Sequence, residues 1–140
     1  MSIEENKAVY RRFLEEVFNQ GRLDLVDELL APDYVFHDAP PGTPAGPEAI
    51  RQVVTMFRTA FPDLHIDIEA MVAEGDTVVV RATTRGTHRG PLLGVAPTGR
   101  RVAMAGLTMV TVRNGRVVES WVKNDVAGLM RQLTEGAGGN

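Results

Sequence analysis

The amino-acid sequence predicts an α+β fold in which helices come first, strands follow and one helix closes the chain. Three observations carry this. Apolar residues recur at three- and four-residue intervals up to Phe61, read as strands between Leu64 and Asn124, and return to helical spacing at Val126, Leu129, Met130 and Leu133. Helices set apart from an antiparallel meander pack on one face of a curved sheet.

Ser2 and Glu5 have the spacing of a capping box, and Tyr10, Phe13, Leu14, Val17 and Phe18 then form one apolar helical face. Asn19-Gln20-Gly21 supplies the stop, Gly21 being suited to the left-handed conformation past a helix end. A shorter second helix turns Leu23, Val26, Leu29 and Leu30 inward and closes at Pro32. Tyr34-Val35-Phe36-His37-Asp38 reads as a short strand, followed by the turn-rich run Ala39-Pro40-Pro41-Gly42-Thr43-Pro44. The third helix begins at Pro47, buries Ile50, Val53, Val54, Phe57 and Phe61, and ends at Pro62.

Strands are expected over 64–73, 77–88, 101–113 and 116–124, with a turn at Glu74-Gly75-Asp76 and a two-residue hairpin at Asn114-Gly115. Within 77–88, Val78, Val80, Ala82, Thr84, Gly86 and His88 share the concave face. The strand 101–113 is apolar on both faces, which predicts a homodimer joined through the outer face of the sheet. The Gly/Pro-rich segment 89–99 carries Leu92, Leu93 and Val95 and suits a loop over a pocket. The whole chain, 1–140, reads as one domain with a frayed Gly-rich tail at 136–140.

Composition removes several function classes. A net charge of −3 with no basic stripe argues against nucleic-acid binding. The absence of cysteine excludes disulfides, thiol nucleophiles and Cys-ligated metal. Three separated histidines, His37, His65 and His88, lack local ligand spacing, so no metal is expected, and His65 alternates with Ile66 and Ile68 toward solvent. The acidic, polar start MSIEENK and the lack of a long apolar span predict no membrane segment and a cytoplasmic protein.

Asp125 stands where the last strand passes into the last helix, and two readings of it are open. It is an acid at the edge of a pocket, or it is the N-cap of the helix that follows. Strict alternation puts the cation of Lys123 on its side of the strand, whereas a bulge near Lys123-Asn124 separates them. His88, at the end of the concave face, and His37 are the candidate polar partners. Trp121, Phe13, Phe57, Phe61 and Tyr10 are the candidate apolar wall.

These residues carry a resemblance. Gly86-Thr87-His88-Arg89-Gly90, Pro97-Thr98-Gly99-Arg100 and the closing Asn-Gly-Arg-Val-Val-Glu-Ser-Trp followed by Asp125 resemble the SnoaL-like polyketide cyclases, the ester cyclase group of the nuclear-transport-factor-2-like superfamily. So do the helix exit Asn-Gln-Gly-Arg-Leu-Asp and the Phe-Pro-Asp at Phe61 to Asp63. The resemblance implies an NTF2-like cone around a cavity for a small hydrophobic or aromatic molecule. It also implies a cofactor-free intramolecular aldol reaction with Asp125 as acid/base. Such a reaction needs a base for a carbon-bound proton and a donor for the oxygen that gains charge. An ordinary carboxylate is a weak base and needs an apolar, water-poor wall. Two alternatives remain on the same fold. Epoxide hydrolysis or isomerisation would use Asp38 and Tyr34, and a non-catalytic binding or dimerisation module would have a solvent-facing, capping Asp125 and a filled cavity.

Overall fold

The computed structural model describes residues 2–134, so the tail expected at 136–140 lies outside the described residues. Helix α1 spans Ile3–Arg12. The Ser2 hydroxyl accepts the Glu5 N–H at 3.1 Å while Glu5 Oε1 accepts the Ser2 N–H at 2.9 Å, completing the capping box. The helix then widens into a π-helical segment, Phe13–Asn19, that keeps Phe13, Leu14 and Val17 buried. Gly21 ends it at φ 72°. Arg58 closes the exit by donating from Nη1 to the carbonyls of Phe18 and Asn19, both at 2.9 Å.

A 3₁₀ turn, Leu23–Leu25, leads to the short α2, Val26–Leu29. Here the helical spacing overreaches. Leu30 is already extended and opens strand β1, Leu30–Phe36, so Pro32 lies within an edge strand, where a missing N–H is tolerated. His37 and Asp38 follow in a turn. Helix α3 is Glu48–Ala60, and strands β2, β3, β4 and β5 are His65–Glu74, Thr77–Thr87, Arg101–Arg113 and Arg116–Asn124. Helix α4 is Val126–Thr134. No helix among the described residues is long and apolar enough to cross a membrane.

The sheet order is β1-β5-β4-β3-β2. Strands β2 to β5 form the expected antiparallel meander, but β1 adds to its β5 edge in parallel, which corrects the all-antiparallel sheet. The inner face carries Val78, Val80, Met104 and Val110 against Tyr10, Phe13, Val17, Leu29 and Val54 from the helices. Each such buried apolar side chain is worth about 1.5–3 kcal/mol.

One irregularity decides which β5 side chains point inward. Asn114 at φ 52° and Gly115 at φ 77° make the tight turn, pairing Arg113 with Arg116 and Val112 with Val117. The register then shifts, because Thr111 pairs with Glu119 and Val118 is left over as a β-bulge. An extra residue in a strand of period two swaps the face of everything beyond it. Ser120, Val122 and Asn124 therefore point inward, opposite Val110, Thr108 and Gly106. Glu119, Trp121 and Lys123 point outward.

Strand β5 stops at Asn124, leaving the start of β4 without a neighbour on that side, and α4 folds along the gap. The Gln132 amide stands in for a strand: its Oε1 accepts the Ala103 N–H at 2.9 Å and its Nε2 donates to the Ala103 carbonyl at 2.7 Å. The Asn19 amide clamps Ile66 of edge strand β2 in the same way, at 2.7 and 3.2 Å.

The link between α3 and the sheet is pinned by Asp63, which accepts the Thr87 N–H and the Thr87 hydroxyl, both at 2.7 Å. These bonds, the backbone one foremost, hold its carboxyl below the ordinary value. A depressed carboxyl stabilises the fold above its unfolded pKa of about 3.9 and loses that contribution as pH falls through the folded value. Asp63→Asn should cost about 1 kcal/mol at neutral pH, and urea unfolding should show a shallower loss of stability below about pH 4 than in the parent. An unchanged acid limb would remove Asp63 from this role.

Candidate active site

The inner face is not filled along its length. Val78, Val80, Val110 and Ser120 are buried at one end and Val102 and Met104 at the other. Between them Ala82, Thr84, Gly106, Thr108 and Val122 are only half-buried, although they lie on the face that the helices cover. Short side chains there leave an open strip, and Asn124 and Asp125 stand at its margin, where β5 leaves the sheet.

Asp125 donates its N–H to the Ala105 carbonyl at 2.9 Å and then caps α4, its Oδ1 accepting the Gly128 N–H at 2.9 Å. Among the described residues its Oδ2 accepts no hydrogen bond. Gly128 makes room for the carboxylate, since a Cβ there would lie 2.2 Å from Oδ2. The residue is exposed and caps the helix, which is what the non-catalytic alternative expects of it, and the water-poor wall that the acid/base reading needs is not formed by the chain itself. Lys123 is directed elsewhere. The bulge sends it to the outer face, where its Nζ pairs with Asp38 Oδ2 at 3.1 Å. The register runs without a further shift from Glu119 to Asn124, so no bulge separates Lys123 from Asp125; the two part because Lys123 reaches Asp38 while Asp125 leaves the strand to cap α4.

His88 is fully buried at the end of the inner face. Its Nδ1 accepts the Thr98 N–H at 3.1 Å and lies 3.0 Å from the Thr98 hydroxyl. With Nδ1 an acceptor, the neutral ring carries its proton on Nε2. That Nε2 is buried and has no partner. Phe61 covers it, ring centroids 5.8 Å apart, and also fills the space beside Gly86, where a Cβ would lie 2.6 Å from the Phe61 Cβ. The loop 89–99 thus holds the histidine through Thr98, and buries Leu92 while Leu93 is exposed at φ 48°.

The expected aromatic wall divides into three groups. Tyr10 stacks on Phe13 at 5.8 Å within the core, and Phe57 lies 6.4 Å from Phe61 under His88. Trp121 is on the outer face, paired with Met109, which corrects its expected place on the cavity wall. His37 goes with it, stacked on the Trp121 ring at 4.4 Å and within 2.8 Å of Glu119 Oε1. Glu119 also accepts the Thr111 hydroxyl at 2.8 Å. The bond to His37 first, then that to Thr111, holds the Glu119 carboxyl below its usual value. His65 is exposed, as its alternation predicts.

The phenols are donors rather than bases. Burial pushes Tyr34 up to about 12, against its contact with Ser120 Oγ, and pushes Tyr10 up further. Tyr34 faces inward, whereas Asp38 is held by Lys123 and by the Val122 N–H at 3.2 Å. The two side chains are thus tied to different partners. Two surface grooves, about 400 Å³ beside Lys7, Arg11 and Glu69 and about 590 Å³ beside Val35, Pro47 and Arg51, border neither Asp125 nor His88. Their charged linings fit the site's chemistry less well than the open inner strip. Among the described residues no three His, Asp or Glu side chains converge as a metal-binding group.

Asn124 is the inward residue that sequence alternation missed. The signal lay in the Asn-Gly register, but reading it required the bulge.

Comparison with known proteins identifies the family and the fold. The family model described as SnoaL-like polyketide cyclase matches residues 8–133. Nogalonic acid methyl ester cyclase of Streptomyces nogalater is 32% identical over 118 residues, covering 83% of this chain and 88% of that one. Aklanonic acid methyl ester cyclase DauD of Streptomyces sp. (strain C5) is 29% identical over 127 residues, covering 89% and 79%. Among solved structures, TsrD of Streptomyces laurentii superposes with a TM-score of 0.87 at 28% identity over 96% of this chain and 98% of that one. IdmH of Streptomyces antibioticus superposes at 0.80 with 38% identity over 91% and 97%. The fold is that of the NTF2-like cone, with its five-stranded curved sheet unclosed.

Asn caps a helix about as well as Asp, and Ala does not. Chemical denaturation should therefore find Asp125→Asn within a few tenths of a kcal/mol of the parent and Asp125→Ala about 1 kcal/mol less stable. Equal losses in both variants would show that the cap is not what the carboxylate contributes.

Proposed function

The chain belongs to the SnoaL-like polyketide cyclase family, and from that premise we propose that it catalyses a cofactor-independent intramolecular aldol ring closure of a small hydrophobic or aromatic polyketide, with Asp125 as acid/base. The observation that supports this most is the state of the Asp125 carboxylate. One oxygen is fixed by the Gly128 N–H, which orients the group, and the other is left without a protein partner beside the half-buried inner strip.

In the reaction, Oδ2 of Asp125 takes a proton from the carbon between two activated carbonyls, leaving an enolate. That carbon attacks a second carbonyl of the same molecule, so one C–C bond forms and the carbonyl π pair moves onto oxygen. The protonated carboxyl then returns its proton to this alkoxide. No atom or electron is drawn from outside. His88 adds a second polar group. Its buried, unpartnered Nε2–H is a donor aimed into an apolar enclosure, suited to a substrate carbonyl once Phe61 or the loop 89–99 yields space. Tyr10 and Phe13 stay buried in the core beneath the helices, while His37 and Trp121 take no part from the outer face.

The related cyclases are named for methyl esters of nogalonic and aklanonic acids. Methyl esters of polyketide acids are therefore the substrate class proposed here. A planar ligand over the strip would also supply the apolar cover that the Asp125 carboxylate lacks.

We also propose that the outer face is covered by a second copy. Val35, Val72, Leu107 and Met109 are exposed there beside the half-buried Trp121. The edge of this patch is formed by the His37–Glu119 and Lys123–Asp38 pairs. An apolar patch with a polar rim is the composition of a protein interface.

Incubated with nogalonic or aklanonic acid methyl ester, the parent should form the ring-closed product, and Asp125→Asn should lower kcat by about 10²- to 10⁴-fold while remaining folded. Activity within threefold of the parent would overturn the role of Asp125. Sedimentation should give a dimer for the parent at micromolar concentration and a monomer for Leu107→Glu, and a monomeric parent would remove the second copy.

A further inference from the structure

We infer that Asn124 is a second catalytic residue, whose carboxamide lies across Gly106 next to Asp125 and donates its Nδ2–H to the enolate oxygen as the neighbouring acid removes the proton. This rests on the aldol reading of Asp125.

Three features of the fold converge on it. The bulge at Val118 puts Asn124 in the inner-face register, paired with Gly106; the residue is itself exposed, at the open margin of the strip where Ala82, Thr108 and Val122 are half-buried. The carboxamide is seated against a glycine: a Cβ at position 106 would lie 2.0 Å from Asn124 Oδ1 and 3.2 Å from its Cγ. No φ in the left-handed region calls for glycine at 106, so space is what that position supplies. Finally, among the described residues no protein group accepts from Nδ2, as for the exposed amides of Gln20 and Gln52, whereas those of Asn6, Asn19 and Gln132 are tied to backbone groups. With Oδ1 against Gly106, Nδ2 is the end of the amide left to face a ligand.

The chemistry needs such a group. When Asp125 removes the carbon-bound proton, negative charge moves to the adjacent carbonyl oxygen, and a neutral N–H donor stabilises it without competing for the proton. A donor one residue from the base is held by the same strand end, so the two are positioned together. Asn124 forms no covalent bond to substrate, and the proton balance is that of the Asp125 step.

Asn124→Ala and Gly106→Ala are assayed with aklanonic acid methyl ester beside Asp125→Asn, with thermal unfolding as the check on folding. Removing one oxyanion donor costs about 10²- to 10³-fold in kcat. Asn124→Ala should show that loss with KM changed less than threefold, and Gly106→Ala should reproduce most of it, because the added methyl group displaces the carboxamide without removing it. A second readout is independent of turnover. The parent, saturated with 4-nitrophenol, should hold a larger phenolate fraction by its visible absorbance than Asn124→Ala does, and Asp125→Asn should not lower that fraction. If Asp125→Asn is inactive and Asn124→Ala keeps kcat within threefold, the inference falls and the aldol reading stands. If Asp125→Asn is active, that reading falls, and the phenolate fraction decides Asn124: a drop in Asn124→Ala upholds it as an oxyanion donor, and no change overturns it.

Discussion

The β-bulge at Val118 is the constraint on which both faces of the sheet depend. The Asn114-Gly115 turn starts β5 in a straight two-residue register, and continuing it would direct Glu119, Trp121 and Lys123 toward the helices. Two charged side chains would then lose water on the inner face, at several kcal/mol each without partners. One unpaired residue costs far less, a ladder hydrogen bond or so. The bulged register turns Ser120, Val122 and Asn124 inward instead. Ser120 meets the Tyr34 hydroxyl at 2.5 Å, and the two charges find His37, Thr111 and Asp38 outside.

The same shift determines where β5 ends. With Asn124 opposite Gly106, the start of β4 is left bare, and α4 is drawn along it by Asp125 and Gln132. Two glycines complete the joint by what they omit. Gly106 leaves space for the Asn124 carboxamide and Gly128 for the Asp125 carboxylate. Neither is there for a left-handed backbone. Consecutive polar side chains are thus seated at one strand end on opposite supports, one on the sheet and one on the helix.

Much of this fold was legible in the sequence, because local rules acted without opposition. The capping box at Ser2 and Glu5, the Pro47 start of α3, the Asn-Gly hairpin and the strand–helix change at Asp125 are all local signals, and each is present. What alternation could not reveal depended on distant partners. Leu30 has helical spacing, yet pairing with Val117 draws it into β1, and β1 runs parallel to a strand far along the chain. Trp121 was expected on the cavity wall, and a single extra residue between it and the turn directs it outward. His88 was legible as an inward residue, but its free Nε2 depends on Thr98 taking Nδ1 from across the loop.

The two readings of Asp125 left open by the sequence do not exclude each other. A cap engages one carboxylate oxygen, and general-base chemistry needs the other. The Gly128 N–H fixes the group's orientation, which is a prerequisite for efficient proton transfer and is hard to obtain from a free surface acid. What the cap does not supply is dryness, because Asp125 is exposed and Trp121 faces away. That condition falls to the ligand. A flat polyketide lying on Ala82, Gly106 and Val122 would exclude water from the carboxylate as it binds, and a dehydrated carboxylate is the stronger base. On this arrangement the base gains its strength when substrate covers it, and small side chains on the inner strip matter more than an aromatic wall.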